Sequence, residues 1–197
     1  MVGRPRTASD EQILDAAERA IARYGPAQLT LAHITAEVGL APATLVQRFG
    51  SKRGLLLAVR ARAPQTIAQA FAAAAGADGS PMDRLHLALA SLVRTIDSPV
   101  TLANTVAFMQ LDLVDPEFTV IAATQSREIR AQIRTLLVEG TAAGELVRHD
   151  HTRLAQAIYT TWSGSLMTWA VDGDGALGEW LRRDVETLLA PYRSLVG

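Results

Sequence analysis

The chain of 197 residues has no cysteine. Disulfides, thiolate metal sites and cysteine nucleophiles are therefore excluded, and a reducing cytoplasm is compatible with the composition. No stretch reaches the roughly 18 uninterrupted apolar residues that a membrane span needs. The charged start Met1-Val2-Gly3-Arg4-Pro5-Arg6 leads into no apolar signal core. A soluble, cytoplasmic protein without membrane contact is the expectation. Alternating strand patterns of useful length, internal repeats and low-complexity tracts are also missing. So are the Gly-x-Ser-x-Gly, P-loop and dinucleotide-binding motifs. The four histidines are His33, His86, His149 and His151. None has metal-ligand spacing on one helix face, and His149 and His151 are expected to diverge at a helix start near the surface. Trp162-Ser163-Gly164-Ser165 offers hydroxyls without a base. These absences argue against an enzyme, and no catalytic residue, metal or cofactor is expected.

What is present is charge asymmetry and helical periodicity. Residues 1–62 hold nine Lys or Arg against five Asp or Glu, whereas residues 63–197 hold ten against fifteen. A basic end on an acidic body points to a polyanionic partner at that end. Lysine occurs once, as Lys52, among nineteen basic residues, which singles that position out. Ile13, Ala16, Ala17, Ala20, Ile21 and Tyr24 form one stripe at three-to-four spacing, capped by Ser9 or Asp10 and stopped by Gly25-Pro26. Leu31, Ile34 and Val38 form a short second helix closed by Gly39. Pro42 then occupies a first-turn position, with Leu45 and Phe49 as the apolar residues that follow. A longer helix begins near Lys52 and is expected to kink or break at Pro64, where the domain boundary is drawn.

Helix, Gly-centred turn and helix within a three-helix unit is the layout that presents a recognition helix to a major groove. With Leu45 pointing inward, a rotation of about 100° per residue sets Ala43 and Gln47 opposite it, flanked by Thr44 and Val46. Gln47 can pair with an adenine edge or donate to a phosphate, and Ala43 and Val46 can meet thymine methyl groups. Thr30 caps the preceding helix, whose N-terminus is a phosphate site in waiting. Lys52 and Arg48 are further phosphate candidates. As a purely structural alternative, Thr30 is only a cap and the two cations are solvated.

The run from Leu29 to Leu56 resembles the DNA-binding signature of the TetR family of bacterial regulators. The matching positions are Thr30, Ile34, Ala36, Gly39, Thr44, Leu45, Phe49, Ser51, Lys52, Leu55 and Leu56, preceded by Ile13-Leu14-Asp15-Ala16-Ala17 and Tyr24-Gly25. The resemblance spans about residues 9–60. It implies recognition-helix contacts from Pro42, Ala43, Thr44, Gln47 and Arg48, and phosphate contacts from Thr30 and Lys52. Two positions depart from the family pattern: Val46 replaces a usual tyrosine, and Ala41 replaces a usual Ser or Thr cap. The missing cap typically costs about 1 kcal/mol of helix stability.

Upstream, Arg4 and Arg6 are candidates for an arm that enters an A·T-rich minor groove. The expected architecture is all-α. Residues 1–62 form the DNA-binding domain, with an arm at 1–8 and the helix-turn-helix at about 30–49. Residues 63–197 form a helical domain that the resemblance assigns to dimerisation and to binding a small-molecule effector. Its last two helices are long and well patterned; residues 152–171 carry small residues at Ala157, Thr161, Gly164 and Thr168, which with Leu181 and Leu188 of the last helix are the candidate dimer interface. His86, Phe108, Met109, Tyr159, Trp162, Met167 and Trp169 are the candidate pocket lining. For any single one of these, ordinary core is the commoner role of such a residue. The resulting expectation is a homodimeric repressor on a palindromic double-stranded DNA operator, released by an effector. A constitutive DNA-binding protein whose second domain only dimerises stays open.

Overall fold

The computed structural model describes residues 8–172 and 175–194. All regular elements among them are helices, as expected: α1 (Asp10–Gln28), α2 (Leu31–Val38), α3 (Pro42–Phe49), α4 (Lys52–Ala61), α5 (Ala63–Ala75), α6 (Pro81–Ser91), α7 (Pro99–Met109), α8 (Leu111–Val114), α9 (Pro116–Ala142), α10 (His151–Asp172) and α11 (Leu177–Leu189). None is long and apolar enough to cross a membrane.

The helix ends follow local chemistry. Ser9 opens α1 with a capping box closed by Gln12, and Ser80 opens α6 with one closed by Asp83. These boxes satisfy backbone donors that a helix start leaves without partners. α1 is interrupted at Gly25, whose φ of +66° is left-handed and favours glycine. A Cβ there would lie 2.8 Å from Asn104 Oδ1 and would displace that side chain. The break expected near Pro64 falls at Arg62, between α4 and α5.

Two compact units are present. The first comprises Met1–Ala63 together with Val100–Ala122, and the second Pro64–Pro99 together with Ala123–Gly197. The inclusion of Val100–Ala122 in the first unit is a feature that periodicity does not display. Phe108 and Phe118 from this segment are buried in the same apolar cluster as Ile13, Ala17, Ile34, Leu45 and Leu55. Asn104 Nδ2 donates to the Ala22 carbonyl at 2.8 Å. The Arg53 guanidinium grips Asp115 at 2.8 and 2.9 Å and Glu117 at 2.5 Å. Arg60 pairs with the buried carboxylate of Asp112 and lies over the Phe108 ring.

In the second unit α10 and α11 pack along each other. Leu154, Ile158, Trp162 and Trp169 form the buried stripe of α10, and Leu177, Leu181, Val185 and Leu189 that of α11. Trp169 Nε1 donates to the Gly175 carbonyl at 3.1 Å, which closes the turn between them. His86 from α6 is buried against this pair. Its Nε2 lies 2.5 Å from Glu186, which also accepts from Arg193 at 2.7 and 3.0 Å. A carboxylate has no proton to offer, so Nε2 carries the hydrogen. Burial lowers the pKa of His86, against the Glu186 hydrogen bond.

Candidate nucleic-acid interface

The three helices of the motif share one core, to which Ile21 of α1, Ile34 of α2 and Leu45 of α3, each at most 4% exposed, all contribute. Gly39 ends α2 in the left-handed conformation at φ +68°, which lets the chain turn into α3. Pro42 starts α3 without a side-chain cap from Ala41, as the absence of a hydroxyl there predicts. The remaining α3 side chains then fall on the faces that the wheel assigns. Pro42, Ala43, Val46 and Gln47 are exposed, Thr44 is half-buried, and Leu45 points inward.

Thr30 caps α2 in an unusual box. Its hydroxyl accepts from the His33 N–H at 3.3 Å, and its own N–H donates to His33 Nδ1 at 3.4 Å. The His33 ring is in turn stacked on Tyr24, with centroids 4.1 Å apart. The cap bond uses a lone pair of the Thr30 hydroxyl and leaves its hydrogen available to an acceptor. Lys52 is half-buried, and its Nζ donates to the Pro26 carbonyl at 2.7 Å. That bond occupies one of the three ammonium donors. It ties the start of α4 to the last part of α1, just beyond the interruption at Gly25.

Arg48 behaves differently. Its Nη1 donates to the Ala8 carbonyl at 2.6 Å and to Asp10 at 3.2 Å, so its side chain is engaged at the start of α1. Arg4 and Arg6 lie outside the described residues. Ion pairing also thins the positive field that the charge count implies. Arg19 pairs with Glu37, Arg48 with Asp10, Arg53 with Asp115 and Glu117, and Arg62 with Asp15 and Glu18. Three of the neutralising acids (Asp112, Asp115 and Glu117) come from the segment that folds back into this unit. A separation of 52 or more positions gives no local signal for such pairing.

The residues proposed as an effector pocket are dispersed. His86 and Trp162 border one cavity of about 10 Å³, together with Leu89, Leu181 and Arg182, which is room for about one water molecule. Trp162 Nε1 is buried and has no partner among the described residues. Phe108 belongs to the core of the other unit. Met109 and Met167 are exposed at 44% and 47%. Tyr159 is half-buried beneath Arg130, and Trp169 is buried against the α10–α11 turn. Among the dimer candidates, Gly164 and Thr168 are exposed, Ala157, Thr161 and Leu188 are half-buried, and Leu181 lies inside the unit's own core. His149 and His151 do not diverge as expected. Their rings meet edge to face at 4.4 Å, because His149 precedes the helix and folds onto Tyr192.

Residues 13–59, which contain α2, α3 and most of α1 and α4, match the family model described as bacterial regulatory proteins, tetR family. No curated protein matches the sequence. Solved structures share the fold over nearly the whole chain. A TetR transcription regulator from Haloarcula marismortui has a TM-score of 0.78 at 18% identity, covering 94% of this chain and 98% of that one. The transcriptional regulator FadR from Bacillus subtilis, in complex with stearoyl-CoA, has a TM-score of 0.69 at 22% identity, covering 92% and 98%. SmeT, the repressor of the Stenotrophomonas maltophilia multidrug efflux pump SmeDEF, has a TM-score of 0.66 at 21% identity, covering 98% and 94%.

Proposed function

We propose, for a chain that belongs to the tetR family of bacterial regulatory proteins by its residues 13–59, that it is a homodimeric repressor released from a palindromic operator by a small-molecule effector. It is a DNA-binding transcriptional regulator, and the proposal concerns how it reads DNA and what releases it. The observation that carries the DNA reading is the exposed face of α3 beside the capped start of α2 and the tethered Lys52. In this reading Ala43, Thr44 and Gln47 face base edges in the major groove, with Pro42 at the helix entry. Thr30, Lys52 and the α2 N-terminus hold phosphates. Arg4 and Arg6 supply an arm for the minor groove. Few hydrogen-bonding groups face the bases, so methyl contacts and DNA shape carry much of the specificity.

The exposed small residues Gly164 and Thr168 on α10 support a second copy as partner. Two-fold symmetry then pairs each recognition helix with one half-site. The unpaired indole N–H of Trp162 beside buried His86 supports an effector site that enlarges from the present cavity. Chain connectivity supports a route to the DNA-binding unit. Val100–Ala122 is built into that unit but is continuous at both ends with the second one. The C-terminal part, residues 63–197, would thus serve dimerisation and effector binding while lending one segment to DNA binding.

Selection of bound sequences from random double-stranded DNA tests the reading. Palindromic sites are expected, and Gln47→Ala should change the preferred base at one position of each half-site. Recovery of no palindromic site overturns it. A thermal-shift screen of small molecules, acyl-CoA thioesters among them, should then find a ligand that releases the selected site. A screen without any stabilising compound favours a constitutive DNA-binding protein.

A further inference from the structure

We propose that His33 is a contact to the DNA backbone, donating a hydrogen bond from Nε2 to a phosphate at the start of α2. The inference rests on the DNA-binding reading above and deepens it.

The first reason is which ring nitrogen carries the hydrogen. The backbone N–H of Thr30 reaches His33 Nδ1 at 3.4 Å. An N–H can only donate, so Nδ1 offers its lone pair and the neutral ring holds its hydrogen on Nε2. Nε2 has no acceptor among the described residues and is not enclosed. The ring itself is held. It is stacked on Tyr24 at 4.1 Å between centroids, with the planes 24° apart. A fixed ring with one unspent donor gives up little freedom when an acceptor arrives.

The choice of residue is the second reason. A capping box ordinarily closes with Glu or Gln at the third helical position, as Gln12 does in α1. A carboxylate at position 33 would set a negative charge against the phosphate that Thr30 and the α2 N-terminus hold in this reading. Histidine accepts the same backbone bond without that charge, and it projects a donor where glutamate has none. The acid of α2, Glu37, lies one turn on, and Arg19 pairs with it at 3.0 Å.

Unspent positive charge lies on the same edge. Seven Lys and Arg fall between residues 8 and 63. Arg19, Arg48, Arg53, Arg60 and Arg62 are ion-paired, whereas Arg23 and Lys52 have no carboxylate at ion-pair distance among the described residues. Arg23 is exposed and lies 6.0 Å from the Tyr24 ring centroid, and Lys52 is bonded to the Pro26 carbonyl. Both cations are thus attached to the last part of α1, on which His33 packs through Tyr24. An anion arriving there meets a fixed donor and two cations without acids of their own.

Operators carrying methylphosphonates, in which a methyl group replaces a charged phosphate oxygen, test this position by position. Each duplex is modified at one phosphate in both half-sites. Affinity is measured for the wild-type chain and for His33→Phe, which keeps a ring to stack on Tyr24 and removes both nitrogens. His33→Phe should weaken binding to the unmodified operator about tenfold, the scale of one hydrogen bond to a charged group. On the one duplex neutralised at the phosphate that His33 contacts, the same substitution should change affinity less than twofold. An equal loss on every duplex makes His33 a helix cap alone and overturns the proposal, and so does an unaltered affinity for the unmodified operator. Should the variant fold poorly by circular dichroism, His33→Glu retains the acceptor for Thr30 and serves in the same series. Its loss of affinity should be relieved by that one methylphosphonate, and relief spread evenly over neighbouring phosphates overturns the contact. A wild-type chain that binds no operator overturns the DNA-binding reading itself, an outcome separate from the absence of coupling to residue 33.

Discussion

Lys52 Nζ donates to the carbonyl oxygen of Pro26 at 2.7 Å. The sole lysine of the chain thus sits at the first position of α4 with its side chain fixed, yet with two ammonium donors left for a phosphate. Lys52→Ala is expected to weaken binding to all DNA sequences about equally and to lower the slope of log K against log salt by about one. The measurement is operator and non-specific affinity across a salt series. An unchanged slope would mean that Lys52 only ties α4 to the end of α1.

Arg60 and Asp112 form the most enclosed ion pair described, with side chains 15% and 7% exposed. Burial pushes the Asp112 carboxyl above its ordinary pKa, and the Arg60 charge opposes that. Removing Arg60 strands the buried Asp112 carboxylate, and removing Asp112 takes from Arg60 the carboxylate it is buried against. Arg60→Ala or Asp112→Ala should each destabilise the protein by about 3 kcal/mol. The double replacement Arg60→Met with Asp112→Leu should cost less than either single change, because neither half of the buried ion pair is left facing an apolar replacement. Urea unfolding of the three variants reads this directly, and additive losses would show that the pair is not a coupled unit.

That pair also marks where sequence reasoning stops. The caps at Ser9, Thr30 and Ser80, the turn at Gly39 and the uncapped start at Ala41 are legible because each signal lies within a few residues of its effect. The face of α3 is legible because one inward leucine fixes the wheel. The return of Val100–Ala122 to the first unit is not. Phe108 and Phe118 carry the same apolar pattern wherever they are buried, and Asp112, Asp115 and Glu117 resemble any solvated acids until Arg60 and Arg53 are beside them. Phe108 fits a pocket by composition, yet its ring packs edge to face on Phe118 in the core of the first unit. The positive charge of residues 1–62 is plain in the sequence, but acids from 112–117 offset part of it.

His86 gives the second unit a defined acid response. Burial lowers its pKa below the ordinary value of about 6.5, against the Glu186 hydrogen bond, with the Arg182 and Arg193 charges lowering it further. The unfolded chain therefore binds this proton more readily than the folded one. The stabilising contribution is complete above about pH 6.5 and is lost as the pH falls through the lower folded value. Glu186 adds a loss at lower pH. Burial raises its pKa, but hydrogen bonds from Arg193 and His86 outweigh that and hold it below the ordinary carboxylate value. The melting temperature should fall between pH 7 and 5, and His86→Gln, which retains a donor toward Glu186, should flatten that upper step. An unaltered pH profile in the variant would assign the step to another group.

A substitution at Gly164 tests the fold of one chain separately from its proposed association with a second copy. It lies on the exposed face of α10, opposite the buried stripe of Ile158, Trp162 and Trp169, and an added Cβ would meet nothing within 4 Å. A larger residue is therefore tolerated within the chain. Replacing a helical glycine should even stabilise the helix, by roughly 0.5–1 kcal/mol. In the proposed dimer the effect should reverse. If α10 packs closely on its two-fold mate, Gly164→Leu holds the helices apart and removes contacts along the stripe that includes Thr161 and Thr168. The expected result is a monomer by sedimentation equilibrium at micromolar concentration, whose unfolding midpoint, compared with that of dissociated wild-type chain, is not lowered. Operator affinity should drop steeply in the same variant, because one half-site alone holds a single recognition helix weakly. A dimer of unchanged affinity would put the interface on a different surface. A monomer that binds the operator as well as wild type would show that the two half-sites are read independently.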